Sequence, residues 1–425
     1  MAYIKVIFIN IAVEDFITST RLETYTRRDD EIKAIASLKA SYDITRVLLL
    51  QALYSGLKIN NLSNSDDSQL MQKAIASQSS VVDIHHAGTA MRFLTAYFAT
   101  RVGKTTTLTG SKRMQERPIK ILVDALNSLG ASITYIKNEG YPPILIEGKK
   151  LSNDRVSLKA NVSSQYISAL LLIAPTLDGG LSLNLEGKIT SIPYIKMTLT
   201  LLENLGIQTS FKGNTIKVQS FKNEVFKTFT IESDWSSASY FYSLVALSPV
   251  QTQIDLTSYK SHSLQGDAVL SVIYKQLGVE SKFEGTTLSL KKIGTALPRC
   301  LNLDLSDAPD IAQTIAVSCL GLQIPCDLIG LHTLKIKETD RLVALQNEIK
   351  KLGSTVEITE KSLYLNPPIA LKSKVNIATY NDHRMAMAFA PLALKTDLYI
   401  EDAEVVSKSY PDFWKNLEML GVEIH

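Results

Sequence analysis

Five segments of this chain share one pattern: ALNSLGASITYIKNEGYPPILIEG, LLENLGIQTSFKGNTIKVQS, YKQLGVESKFEGTTLSLKK, EIKKLGSTVEITEKSLYLNPP and NLEMLGVEIH. Each has an amphipathic stretch, then Leu-Gly, then an alternating strand. In the first four a polar turn and a second strand follow. The glycines are Gly130, Gly206, Gly278, Gly353 and Gly421, 68 to 76 residues apart. Such self-similarity constrains the fold before composition does. A glycine in that place suits the residue after a helix end, where a positive φ turns the chain into the strand. The period is longer than that of ordinary solenoid repeats, so globular α/β units fit better. With a less regular unit at LLLQALYSGLKINNL there are about six. Their even spacing predicts three in each of two lobes, with a ligand cleft between them.

A length of 425 residues also predicts two or three domains. With 45% hydrophobic and 20% charged residues the chain is composed like a folded protein. Its net charge of +3 gives no reason to expect nucleic acid. Cys300, Cys319 and Cys326 are an odd, sparse set without CxxC pairing, which argues against a disulfide framework or a zinc site. The start, MAYIKVIFINIAVEDF, alternates like a strand and not like a signal peptide. No run approaches 18 apolar residues, so no transmembrane helix and no membrane partner are expected, and the expected location is cytoplasmic.

Short polar clusters abut apolar helical runs in HHAGTAMRFLTAYFA, VSSQYISALLLIA, SDWSSASYFYSLVAL, DAPDIAQTIAVSCL, KIKETDRLVALQNEIKKLG and YNDHRMAMAFAPLAL. Taken singly, each is an N-cap satisfying orphan N–H groups. Together they bring Arg92, Arg117, Lys337, Arg341, His383 and Arg384, more cations than caps require. Helix starts favour anions, and Arg binds phosphate or carboxylate in planar fashion. Neither a P-loop nor a GxGxxG after a strand is present, which leaves a nucleotide reading without support. If KETDR is helical, Lys337 and Arg341 lie one turn apart on one side, with Glu338 beside them; a solvated ion pair is the plainer alternative. Asp310 opens a helix after proline. Two carboxylates in a cationic cleft can divide acid and base roles.

HAGTAMR, RMQERPI, SSQYISALL, SIPYIKMT, DWSSASYF, APDIAQTIA, KIKETDRL and TYNDHRMAMAF, in that order, resemble the motifs of the 5-enolpyruvylshikimate-3-phosphate synthase family, from about Arg46 to Lys408. The resemblance implies the two-lobed enolpyruvyl transferase fold, each lobe of three βαβαββ units around a pseudo-threefold axis. The expected division is an inserted lobe at 38–232 and a discontinuous lobe of 1–37 and 233–425. It also implies transfer of the enolpyruvyl group of phosphoenolpyruvate to the 5-hydroxyl of shikimate 3-phosphate, by a monomer needing no metal or organic cofactor.

Carried over by the same resemblance, Arg46, Ser163, Ser164, Gln165, Ser191, Thr333 and Lys337 would bind shikimate 3-phosphate. Gly88 (through its backbone), Arg117, Gln165, Arg341, Arg384 and Lys408 would hold phosphoenolpyruvate. Asp310 resembles the acceptor of the 5-hydroxyl proton, which also places it against shikimate 3-phosphate. Glu338 resembles the donor to the enol carbon. In this family glyphosate competes with phosphoenolpyruvate, and Gly88 leaves room for it, although Phe93 stands where proline is common.

The chain departs from the family at SLKASYDITR. Lys39 lies seven residues before Arg46 where the family has five, and Ser41 and Tyr42 fall on the usual Lys and Ser. Any bulge is expected before Tyr42, with Asp43 capping the helix start and Lys39 displaced from the site. His85 and His86 replace the usual pair before Ala-Gly-Thr, either as a polar loop pair or with His86 touching substrate. Two other readings stay open: a catalytically impaired paralogue that binds a phosphorylated ligand, and UDP-N-acetylglucosamine enolpyruvyl transferase, whose usual cysteine in the first half is missing here.

Overall fold

The computed structural model describes residues 3–8, 41–159, 163–187, 189 and 192–424. All five repeat glycines take φ between +80° and +104°. They follow helices Lys120–Ser128, Ile192–Asn204, Leu270–Gln276, Arg341–Lys351 and Phe413–Met419. At two of these ends the closing bonds are resolved in full: Ala131 N–H donates to the Leu126 carbonyl at 2.9 Å, and Ile207 N–H to that of Leu202 at 3.1 Å. These are the six-to-one bonds of a Schellman end, which need the left-handed residue between helix and strand. Strands Ser132–Tyr135, Thr209–Lys212, Val279–Glu284 and Thr355–Ile358 follow, each in an antiparallel hairpin with the next strand.

In the fifth repeat the strand Val422–Ile424 takes its antiparallel partner from far away in sequence: Tyr3–Phe8 pairs with it and with Leu398–Glu401. Four sheets therefore share one order, a parallel pair followed by two antiparallel steps. In one of them Arg155–Lys159, Leu181–Glu186, Thr215–Val218 and Thr209–Lys212 lie side by side. In the equivalent sheet Val375–Ile377, Leu398–Glu401, Tyr3–Phe8 and Val422–Ile424 do the same. The irregular unit runs from helix Ser41–Leu53 to strand Leu57–Asn60, which pairs in parallel with Lys227–Thr230. There Gly56 is needed for closeness: a Cβ would sit 2.3 Å from the Val225 carbonyl oxygen.

The chain divides into two compact units, one of Ser41–Ile231 and one joining Glu232–His425 to the N-terminal strand. Each is built on three packed core helices. In the first these are Ser41–Leu53, Gly88–Ala99 and Ser164–Ile173; in the second, Trp235–Leu247, Ala312–Gly321 and His383–Phe389. Every residue of Gly88–Ala99 and of the second three is buried. Helices buried on all sides belong in a core, which agrees with the apolar runs that follow the polar clusters in the sequence.

Two local expectations change. Asp43 lies within helix Ser41–Leu53 and not at the residue before it, where a cap was expected. KETDR is not helical throughout: a short 3-10 helix, His332–Ile336, ends before Lys337, and the α-helix starts only at Arg341 after Asp340 caps it. Asp340 accepts from the N–H groups of Leu342 and Val343, each at 3.2 Å, and that cap competes with continuing the helix backwards.

Gly206 has φ +88° and its nearest neighbour to an added Cβ is 3.9 Å away, so alanine there meets backbone strain and no clash. Gly206→Ala should lower unfolding stability by about 1–2 kcal/mol, and Gly206→Asn by less, as asparagine visits the left-handed region more readily. Urea denaturation of the three proteins checks this; an alanine variant as stable as the parent would contradict it.

Candidate active site

In the second unit six predicted residues form one network, four of them buried. Arg341, 2% exposed, is its centre. Its Nη1 donates to Asp310 Oδ1 at 2.8 Å, its Nε to Asp382 Oδ2 at 2.6 Å and its Nη2 to Glu338 Oε2 at 2.8 Å. Lys337 Nζ stands 3.1 Å from Asp310 Oδ1. Lys408 Nζ donates to Glu338 Oε1. Arg384 Nη1 donates to the Asp310 carbonyl at 3.2 Å, and its Nη2 lies 3.7 Å from Asp310 Oδ2. Lys337 and Arg341 thus meet as expected, but through the Asp310 carboxylate and not through a shared helix face.

Asp310, Arg341 and Arg384 stand at helix starts, while Lys337 and Lys408 stand at the ends of short 3-10 helices. Asp310 sits in the 3-10 turn Pro309–Ile311 that leads into core helix Ala312–Gly321. Arg384 follows Asp382, which caps its helix by accepting from Arg384 N–H at 2.9 Å while also holding Arg341. Burial pushes the Lys337 ammonium below its usual value, with Asp310 opposing. Burial and then Lys408 hold His383 well below the usual histidine range, so its ring stays neutral. Its Nδ1 is buried without a hydrogen bond among the described residues. The same is true of Thr333 Oγ1, one turn ahead of Lys337, and of both amide atoms of Gln313, one turn after Asp310. Unsatisfied buried polar atoms are costly, and a bound ligand or water is the usual remedy.

In the first unit Gly88 opens a core helix that no side chain caps. Arg117 packs against it: a Cβ at Gly88 would lie 2.5 Å from Arg117 Nη1. Arg117 is 7% exposed, and its buried Nε has no hydrogen-bond partner among the described residues. Arg92 ties the two pieces together, donating to the Gly88 carbonyl at 3.1 Å and the Pro118 carbonyl at 3.2 Å. Ser163 caps the Ser164–Ile173 helix by accepting from Gln165 N–H. Gln165 Nε2 reaches Thr89 Oγ1 at 3.1 Å, which brings that helix start beside Gly88 and Arg117. Arg46 lies deeper, 1% exposed, with Nε donating to Thr198 Oγ1 at 2.9 Å and the guanidinium over the Phe93 ring. His85, at φ +48°, contacts His86 Nδ1 to Nδ1 at 2.8 Å, and His86 faces Asp66 and Asp67 at 4.0 and 3.9 Å. Ser191 and Lys39 lie outside the described residues.

Sequence reasoning did not single out Asp382, Asp234, Ser236 or Asp267. Asp382 stands inside the quoted NDHR motif, where cap and ligand holder look alike. No group of three or more His, Cys, Asp or Glu side chains among the described residues is arranged to hold a metal, and no described helix is long and apolar enough to cross a membrane.

A sequence model of EPSP synthase (3-phosphoshikimate 1-carboxyvinyltransferase) matches residues 31–417. The chain belongs to the EPSP synthase family. A 3-phosphoshikimate 1-carboxyvinyltransferase of Bacteroides fragilis is 47% identical over 400 residues, covering 93% of this chain and 97% of that protein. One from Haemophilus influenzae is 32% identical over 415 residues, covering 88% and 93%. The fold is that of solved enolpyruvyl transferases. EPSP synthase from Acinetobacter baumannii superposes with a TM-score of 0.70 at 19% identity, covering 89% of this chain and 94% of that one. The enolpyruvyl transferase NikO from Streptomyces tendae gives 0.69 at 14%, covering 91% and 94%.

Burial pushes the Asp267 carboxyl up to about 7; Asp310 nearby adds to the rise, while Ser236 and Arg384 oppose it. In the unfolded chain an aspartate titrates near ~4. The proton is held more tightly in the fold, so this group's contribution to stability is full below about 4 and is lost as pH rises to about 7. Asp267→Asn cannot ionise. Its stability relative to the parent should climb from pH 4 to 7 and level off above, by thermal unfolding across that range. A difference that stays flat would remove the claim.

Proposed function

We infer that this chain transfers the enolpyruvyl group of phosphoenolpyruvate to the 5-hydroxyl of shikimate 3-phosphate and releases phosphate, as part of aromatic amino-acid biosynthesis. In a chain of this family, the observation that carries the reading is the meeting of two carboxylates, Asp310 and Glu338, on one set of four cations, of which Arg341, Arg384 and Lys408 are buried and Lys337 is partly exposed. Both substrates carry a phosphate and a carboxylate, and fixed cations can stabilise their changing charge in place.

In this reading Glu338 gives a proton to C3 of the enol, C2 becomes electrophilic, and the 5-hydroxyl attacks it as Asp310 takes the hydroxyl proton. The tetrahedral adduct then expels phosphate and loses a C3 proton. Without substrate, Glu338 is held by Lys408 and Arg341. The anionic groups of phosphoenolpyruvate compete for those cations, and a carboxylate released from them takes a proton more readily. Substrate binding then arms the acid. Arg341, Arg384 and Lys408 hold phosphoenolpyruvate together with Gly88, Arg117 and Gln165. Shikimate 3-phosphate takes Arg46, Ser163, Ser164, Gln165, Ser191, Thr333, Lys337 and Asp310. Arg117 Nε and Thr333 Oγ1, buried without a hydrogen-bond partner among the described residues, support their roles as ligand contacts.

A phosphate-release assay with both substrates tests the activity; release with UDP-N-acetylglucosamine in place of shikimate 3-phosphate would overturn it. Asp310→Ala and Glu338→Ala should each lower the rate about 10²-fold or more, and near-normal rates in both would sink the role assignment. Gly88→Ala pushes a methyl into the Arg117 guanidinium. It should weaken phosphoenolpyruvate, as Arg117→Ala should, by about 10- to 150-fold, the worth of one charge-assisted hydrogen bond. Calorimetric titration checks both, with shikimate 3-phosphate affinity nearly unchanged; equal losses for the two ligands would contradict the assignment.

A further inference from the structure

One segment stands at a repeat position that serves the site elsewhere and yet has no role in the reading above. Arg117, Arg341 and Lys408 stand thirteen, twelve and thirteen residues before their repeat glycines, Gly130, Gly353 and Gly421. Before Gly278 the same place holds Gln265-Gly266-Asp267. The structure ties this segment to the start of core helix Trp235–Leu247. Trp235 N–H donates to Gln265 Oε1 at 2.9 Å, and Gln265 Nε2 donates to the Ser233 carbonyl at 2.9 Å. With the loop clamped at both ends of one amide, Asp267, 3% exposed, meets Ser236, 2% exposed, whose hydroxyl donates to Asp267 Oδ2. From its other side Ser236 Oγ accepts Arg384 Nη2 at 3.4 Å.

We propose that Asp267 is a positioning residue for Arg384, acting through the Ser236 hydroxyl, and that by holding Arg384 it sets the affinity of the site for phosphoenolpyruvate. A hydroxyl has one hydrogen and two lone pairs. With its hydrogen committed to Asp267, Ser236 turns a lone pair to the guanidinium. Arg384 Nη1 is meanwhile fixed on the Asp310 carbonyl. The two bonds orient the plane of the guanidinium, which is what bidentate capture of an anion requires. Among the described residues, the charged groups facing Asp267 include Asp310 from the turn Pro309–Ile311, Arg384 from helix His383–Phe389 and Asp234 from the cap of Trp235–Leu247.

The inference rests on the assignment of Arg384 to phosphoenolpyruvate, and the test separates the two. Asp267→Ala and Ser236→Ala should each raise KM for phosphoenolpyruvate about tenfold or more, with KM for shikimate 3-phosphate changed less than about twofold and kcat less affected than KM. Asp267→Asn keeps an acceptor for Ser236 and should stay within about threefold of the parent at neutral pH, a rescue that a purely packing role does not predict. In an Arg384→Ala background the Asp267→Ala change should add almost nothing. A rise in both KM values alike, or a full additional effect without Arg384, would overturn the proposal. If Asp267→Ala does not fold, Ser236→Ala carries the same measurements. If Arg384→Ala leaves KM for phosphoenolpyruvate unchanged, the substrate assignment has failed. The link is then judged by urea unfolding of the parent, the two single variants and the double variant: non-additive stabilities uphold it and additive ones refute it.

Discussion

Arg341 is a fully buried guanidinium with a carboxylate on each of its three nitrogens, and the second unit is arranged around it. Taking such charges out of water is expensive, and the cost is recovered only when every donor finds a well-placed acceptor. That requirement fixes three otherwise separate chain segments. Asp310 must come from the start of one core helix, Asp382 from the cap of another, and Glu338 from the loop ahead of Arg341 itself. Removing any one carboxylate leaves a buried cation short of a partner, which is worse than never having built the cluster.

The repeat supplies the frame that makes this possible. Four of the five helices that end in Leu-Gly hand the chain to an antiparallel hairpin. In the fifth copy the place of the second strand is filled by Tyr3–Phe8. Tyr3–Phe8 and Val422–Ile424 thereby share one sheet, with the other unit lying between them in sequence. The division observed at Ser41 and Ile231 follows from that topology.

Much of this was legible in the sequence. The five glycines mark helix ends because only a residue without a Cβ turns there freely, and the backbone agrees at all five. The motifs placed Asp310, Glu338, Lys337, Arg341, Arg384 and Lys408, and the structure brings all six together. What failed to show was anything decided by a local contest between hydrogen bonds. The cap at Asp340 broke the helix expected through KETDR, because an aspartate that satisfies two N–H groups ahead of it ends a helix behind it. Asp382 hid for the same reason: one residue serves as cap and as ion-pair partner, and spacing reveals only the first. Asp267 lies in a segment whose position matters only once the repeat is laid over the site.

The two units meet an anion on unlike terms. In the second, Arg341 and Lys408 are already neutralised by the protein's own carboxylates, so a ligand there gains only the difference between its contacts and those it displaces. In the first, Arg117 Nε is buried without a partner among the described residues, against a glycine that lets the guanidinium close in, beside a helix start that no described side chain caps. An anion arriving there displaces no protein carboxylate from that nitrogen and relieves a desolvation cost already present in the free fold. In the function proposed above, net affinity for phosphoenolpyruvate then comes mainly from Arg117. The exchange of carboxylates on Arg341 and Lys408 contributes little to affinity and much to chemistry, because what it releases is Glu338, the proposed acid.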